Sequence, residues 1–282
     1  MLDKLKGIDF ARFAFWAAVA IVVFLVGGIF GEKKLPPYRL FSEGYKSAKT
    51  IVAEATQVRH GLVQKVQYAG SGVTRHETSR SYDGFTLIQG LFPEGVELQL
   101  LNMDGEVIRR WRVRLREIWP DPEHIFPSRN VPASDFHYHT QGMWALPDGA
   151  VIFNVEGVGT VKMDKCGAVQ WTVDRMTHHS VTANKDGSFW VPVRGDIREV
   201  PEEIMLKGIT RESLTESLGK YEDRLMLVSA DGAIEEEISV LAAFLQGDFD
   251  HELCDAWKIS KLDPTHDNAI QVVTAPLANK IA

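Results

Sequence analysis

Residues 146–171 read LPDGAVIFNVEGVGTVKMDKCGAVQW. The turn Pro147-Asp148-Gly149 opens onto the apolar run Val151 to Val155. A second turn, Asp164-Lys165-Cys166-Gly167, leads into a run that ends on Trp171. Gly between apolar runs signals a hairpin, because the tight turn needs a positive φ that only Gly adopts freely. The same punctuation recurs at Asp104-Gly105, Lys185-Asp186-Gly187 and Asp231-Gly232. From Thr86 onward the apolar period is two and the runs are rich in Val, Ile, Phe and Trp, so this part of the chain reads as antiparallel β structure.

Two motifs repeat. Asp104 to Trp111 aligns with Asp164 to Trp171, Trp following Asp by seven, and Asp231 places Ile238 at the Trp position. Leu146 to Phe153 aligns with Asn184 to Val191. In chain order these give four-stranded units over about Gly142–Val173 and Ser180–Ser239, the latter with a helical insertion at Pro201 to Gly219, after a partial unit over about Phe85–Val113. Repeated units of this kind predict a mainly β fold, an incomplete β-propeller of about three blades plus one strand. A β-sandwich is the competing reading, but it does not predict one Asp-to-Trp register in three successive units.

The 282 residues are 45% apolar and 24% charged, with formal net charge −7, a globular composition that excludes a mainly disordered chain. Two cysteines exclude a disulfide-dense scaffold or a multi-cysteine zinc array. The acidic balance argues against nucleic acid as a partner. Residues 13–31 carry no charge and are long enough to cross a bilayer. Phe13, Phe15 and Trp16 crowd one end, as at a membrane interface. A cleaved signal peptide would have a shorter apolar run and a small-x-small site, and Gly27-Gly28 supplies no such site. The expected organisation is a tail (1–12), a transmembrane anchor (13–31), a linker with an amphipathic helix (32–80), and β units from 81 to 282. The helix spans about Arg39 to Lys65, where Phe41, Tyr45, Ala48, Ile51, Val52 and Ala55 form a stripe expected to pack on the next domain. Lysines flank the anchor on both sides, so charge sets no orientation.

Histidines fall at the unit boundaries. Thr177-His178-His179-Ser180 precedes one inner strand, Thr265-His266-Asp267-Asn268 precedes the apolar run Ala269 to Val273, and Asp135 to Gly142, with His137 and His139, sits one unit earlier. The alignment equates His178 with His266. Arg194 ends the strand Phe189 to Val193. In a propeller, residues leading into the innermost strands converge on a central channel, so His178, His179, His139, His266 and Arg194 are candidates for one pocket. The alternative is that these histidines cap strands by bonding backbone.

The Asp-x-x-Gly-x-Val-x-Trp hairpin, the Leu-Pro-Asp-Gly turn, Thr-His-His-Ser, Asp263-Pro264-Thr265-His266 and Glu117-Ile118-Trp119-Pro120 together resemble the bacterial arylsulfotransferase family. The resemblance covers about residues 81–275 and rests on the order of motifs that are individually weak. It implies a six-bladed propeller on the periplasmic side of the inner membrane, of which about two blades would lie beyond Ala282. It also implies sulfuryl transfer from a phenolic sulfate ester to another phenol without a nucleotide donor, cofactor or metal. Carried over by motif, the catalytic residues are His266 as nucleophile, with His178 and Arg194; His179 and His139 are less certain matches. The chemistry suits the residues: Arg offers a fork of donors to a charged group in transfer, and a neutral imidazole is a competent nucleophile and proton exchanger. The second expectation is a membrane-tethered β module that binds a ligand without chemistry.

Overall fold

The computed structural model describes residues 10–33, 44–45, 48–49, 51–53, 55–56, 61–63, 67, 70, 72–205, 210–211, 220–247, 249, 251–253, 255, 264–273 and 280. The chain divides into two compact units, 1–56 and 57–282. In the first, α1 (Phe10–Glu32) is apolar between Arg12 and Glu32. Its segment Ala11–Gly31 is long and apolar enough to cross a membrane. Residues 44–45, 48–49, 51–53 and 55 are helical, and the rest of the expected amphipathic helix lies outside the described residues. Of its apolar stripe, Tyr45, Ile51 and Val52 are exposed, and the neighbouring Ala53 is buried. A periodic stripe defines a face without defining what meets it.

The second unit is mainly β, with three antiparallel sheets strung in chain order among the described residues. The first holds β1 (Thr86–Phe92), β2 (Gly95–Leu101) and β3 (Val107–Arg112). The second holds β4 (Thr140–Ala145), β5 (Val151–Val155), β6 (Gly159–Met163) and β7 (Val169–Val173). The third holds β8 (Thr182–Ala183), β9 (Phe189–Asp196), β10 (Lys220–Val228) and β11 (Ile234–Ser239). Each sheet is a meander, every strand pairing with its sequence neighbour. These are the units expected from the repeats. The short helix α2 (Leu115–Ile118) and the single turn Ser128–Asn130 lie between the first two sheets in sequence. Of the expected insertion after Pro201, one turn (Glu202–Ile204) is described, and 206–209 and 212–219 lie outside the described residues. The helix α3 (Val240–Gln246) follows β11, its first turn capped by Ser239 Oγ accepting from the Ala242 amide at 3.0 Å.

Two hydrophobic cores separate the three sheets. Val96, Leu98 and Trp111 of the first sheet meet Val151, Phe153, Val155, Val161 and Met163 of the second. Ile152 and Val173 of the second meet Phe189, Val191, Val193, Met226 and Val228 of the third. Strand β5 serves both, since successive side chains point to opposite faces: Val151, Phe153 and Val155 enter one core and Ile152 the other. All five of its residues are buried.

The outer turns correct the sequence alignment. Asn102, Asp164 and Ser229 occupy one position: their amides donate to the carbonyls of Glu106, Ala168 and Ala233. Three residues on, Gly105, Gly167 and Gly232 have φ of 82°, 89° and 92°. The ladder shifts register after Val107, Val169 and Ile234 alike. Trp111 therefore matches Val173 and Ile238, while Trp171 matches Arg109, and the common seven-residue Asp-to-Trp spacing is a coincidence of different turn registers. The matched residues do matched work. Arg109 donates to the Lys165 carbonyl and Trp171 Nε1 to the Ala230 carbonyl, the second residue of the following sheet's outer turn in each case. Trp111 Nε1 donates to the Asp164 carbonyl at 2.9 Å. Successive sheets are thus locked together by repeated outer-edge hydrogen bonds.

The run Ala269 to Val273, expected as the next inner strand, forms no strand. Its backbone is held by side chains instead: the Ile270 amide donates to Ser180 Oγ at 3.2 Å and Thr182 Oγ1 donates to the Ile270 carbonyl at 2.7 Å. β8 is only two residues long, too short to template a further ladder.

Candidate functional site

One loop, one strand and one distant segment bring the expected residues together. The loop joins β7 to β8 and carries His178 and His179. Thr177 bridges to Val193 of β9, and the His178 amide donates to the Pro192 carbonyl at 3.1 Å. Asn154, fully buried on β5, directs its Nδ2 at three successive carbonyls, those of His178, His179 and Ser180, each at 3.1 Å. Its Oδ1 accepts from Thr160 Oγ1 at 2.7 Å. His179 has φ 52°, uncommon for a residue with a side chain. The loop leaves no room at Gly142, whose added Cβ would lie 1.9 Å from the His179 carbonyl oxygen.

The rings form a row. The His178 and His179 centroids are 4.8 Å apart and those of His179 and His266 are 5.2 Å apart, both edge-on. His178 is buried, and Asp223 Oδ1 lies 3.1 Å from its Nε2. A carboxylate only accepts, so the proton sits on Nε2. Among the described residues His178 Nδ1 has no hydrogen-bond partner. Asp223 also fixes the His266 segment: Oδ2 accepts from the Asp267 amide at 2.6 Å, and the Asp223 amide donates to Thr265 Oγ1 at 3.0 Å. His266 itself is exposed. Burial, then the neighbouring His178, His266 and Arg194, hold His179 below its ordinary value of 6.5 against the opposing pull of Asp223.

Arg194 does not end its strand as expected but lies within β9, opposite Asp223 of β10. Its guanidinium pairs with Glu156. Burial pushes the Glu156 carboxyl up, but the charge of Arg194, helped by His139 and His178, holds it below 4.5. Glu156 and Arg194 occupy matching places in successive sheets, each one residue beyond an inward Val (155 and 193). The Glu156 amide donates to the His139 carbonyl at 3.1 Å and the Arg194 amide to the Met176 carbonyl at 3.0 Å. By that register His139 corresponds to Met176, and the residue matching His178 is Gln141, whose Oε1 accepts from the His179 amide at 2.6 Å. His139 is half-buried and near enough to Glu156 to act on its charge. Beside the pair opens a cleft of about 280 Å³, lined by Arg129, His137, Tyr138, Glu156, Met176 and Arg194 among others.

The structure therefore brings His178, His179, His266 and Arg194 into one constellation, with His139 at its border. Asp223, Glu156, Asn154 and Gln141 were missed in the sequence. Asn154 carried a signal, a lone amide inside the apolar run Val151–Val155; Asp223 carried none. Among the described residues no three His, Cys, Asp or Glu side chains are arranged to hold a metal ion. Cys166 is exposed on the β6–β7 turn with a free thiol, and Cys254 lies outside the described residues.

No family model matches the chain, and no curated protein matches it. Solved structures that match it include a protein of unknown function from Bacteroides caccae, at 10% identity and a TM-score of 0.33. The match covers 54% of this chain and spans 40% of the length of that one.

Proposed function

We propose that the protein is a membrane-anchored sulfuryl transferase of the arylsulfotransferase type, with its three meandering sheets forming successive blades of an incomplete propeller and α1 holding it on the periplasmic face of the inner membrane. The observation that carries this reading is the row of three imidazoles, His178, His179 and His266, beside a guanidinium. Repeated outer-edge bonds between successive sheets support the blade assignment. His266 is the nucleophile, because its ring is exposed while that of His178 is buried against Asp223.

In the first step a His266 ring nitrogen attacks the ester sulfur. The sulfur–oxygen bond to the aryl group breaks, the phenolate leaves with the electron pair, and it takes up the proton that the sulfated ring gives up from its other nitrogen. His179, whose neutral form is favoured, accepts that proton and passes it to the phenolate, and in the second step it accepts the proton of the incoming phenol and returns it to the His266 ring. In the second step a phenol loses its proton, its oxygen attacks the sulfur, and the sulfur–nitrogen bond breaks to restore the imidazole. Two half-reactions predict ping-pong kinetics.

The test is release of the chromogenic phenol from 4-nitrophenyl sulfate, with phenol as acceptor, by the detergent-extracted full chain. Turnover is expected, and His266→Ala lowers kcat by about 10³-fold or more. No release from protein shown to be folded by circular dichroism overturns the reading; full activity in His266→Ala overturns the nucleophile. A second reading, a tethered module that binds a ligand without chemistry, is favoured by one observation: Arg194 is already engaged by Glu156.

A further inference from the structure

The Arg194–Glu156 pair poses a question that the transfer chemistry does not answer. A guanidinium beside three imidazoles is a site for an oxyanion, since it offers parallel donors and a permanent charge. Yet its Nη2 already donates to a carboxylate of the same chain, that of Glu156. Neither side chain is deeply buried, at 22% and 23% exposure, and both line the same open cleft. The pair is therefore reachable from solvent. The backbone fixes it from both sides: each residue follows a buried strand position and hydrogen-bonds to the preceding inner segment. Space is tight around the guanidinium too, for a Cβ on Gly157 would lie 2.8 Å from Arg194 Nη1. Glu156 is held in its charged form by Arg194 with His139 and His178 nearby.

We propose that Glu156 is a built-in competitor for the anion site of Arg194: its carboxylate fills, in the free protein, the place that a sulfate or sulfate-ester group takes on binding. The proposal rests on the reading of Arg194 as an oxyanion site. An incoming sulfate ester has to swing Glu156 away, so occupancy is set by the difference between two anions competing for one guanidinium. The exchange also gives selectivity, because a neutral phenol cannot displace the carboxylate while a sulfated one can.

The probe is inorganic sulfate, titrated by calorimetry into the full chain in detergent, with chloride at matched ionic strength as the reference. Glu156→Gln keeps the shape and removes the charge. It is expected to bind sulfate about tenfold or more tightly than the natural chain, and Glu156→Gln with Arg194→Gln is expected to lose that gain. Sulfate affinity unchanged or weaker in Glu156→Gln, absence of binding in both proteins, or a gain that survives the Arg194→Gln change each overturns the proposal. Should Glu156→Gln fail to fold, Glu156→Asp, which shortens the reach to Arg194, is expected to bind sulfate more tightly than the natural chain, and an equal or lower affinity overturns it. Because binding is read without turnover, absence of sulfuryl transfer counts against the catalytic reading and leaves this one standing.

Discussion

Asn154 is one amide on one strand, and three carbonyls depend on it. Those carbonyls belong to the loop that aims His178 and His179, so the amide links the packing of β5 to the geometry of the site. Replacing it by Ala leaves buried carbonyls and Thr160 Oγ1 without that partner. Asn154→Ala is expected to destabilise the fold by about 2–3 kcal/mol, read from the urea midpoint at unchanged slope. His179 makes a separate statement about pH. Its folded value lies below 6.5, so the unfolded chain binds the proton more readily and stability rises with pH across that window. The contribution is complete above about 6.5 and is lost as pH falls through the lowered value. Urea midpoints taken at roughly pH 7.5 and roughly pH 5.5 are expected to fall on acidification, and His179→Gln to fall less. An equal fall in both proteins contradicts this. Residues of this kind were partly legible: paired histidines before an apolar run stand out in a sequence, whereas Asp223 looks like any charged residue in a strand and gains its meaning from His178 and Asp267, 45 residues before it and 44 after it in sequence.

At the scale of elements, β5 is the strand on which the unit turns. Its alternate residues enter the two cores, and Phe153 is fully buried in the first. Phe153→Ala removes most of a large side chain from a site closed by Leu98, Trp111 and Val161, so it is expected to cost about 3–5 kcal/mol, visible as a lower thermal midpoint. A loss below about 1 kcal/mol would mean that the two sheets can close over the void. The strands themselves were legible because a period of two and Gly turns are local signals. The hairpin register was less so. Gly105 and Gly167 mark equivalent turn positions, but they stand at different distances from their Asp and Trp neighbours, and only the ladder shows that Trp171 takes the place of Arg109.

The whole molecule combines an apolar helix with a β unit whose sheets follow one another in chain order. Sheet follows sheet because each meander buries one face on its neighbour and ties its outer edge to the next turn. The site lies where the second and third sheets meet the segment around His266. Three stretches, near residues 141, 178 and 266, share it although they are distant in sequence.

Sequence alone determined what is local: an apolar run long enough for a bilayer, strands with a period of two, turns that need glycine, and histidines placed ahead of apolar runs. Each follows from backbone sterics or from transfer of apolar groups out of water, and these act over a few residues. Tertiary structure alone decided what depends on convergence: that Asp223 holds His178 and the His266 segment together, that Asn154 sets the loop between them, that His139 stands outside the register of His178, and that Glu156 occupies Arg194. Hydrogen bonds and charge act over a few ångströms in space, and no pattern along the chain states which residues will share that distance.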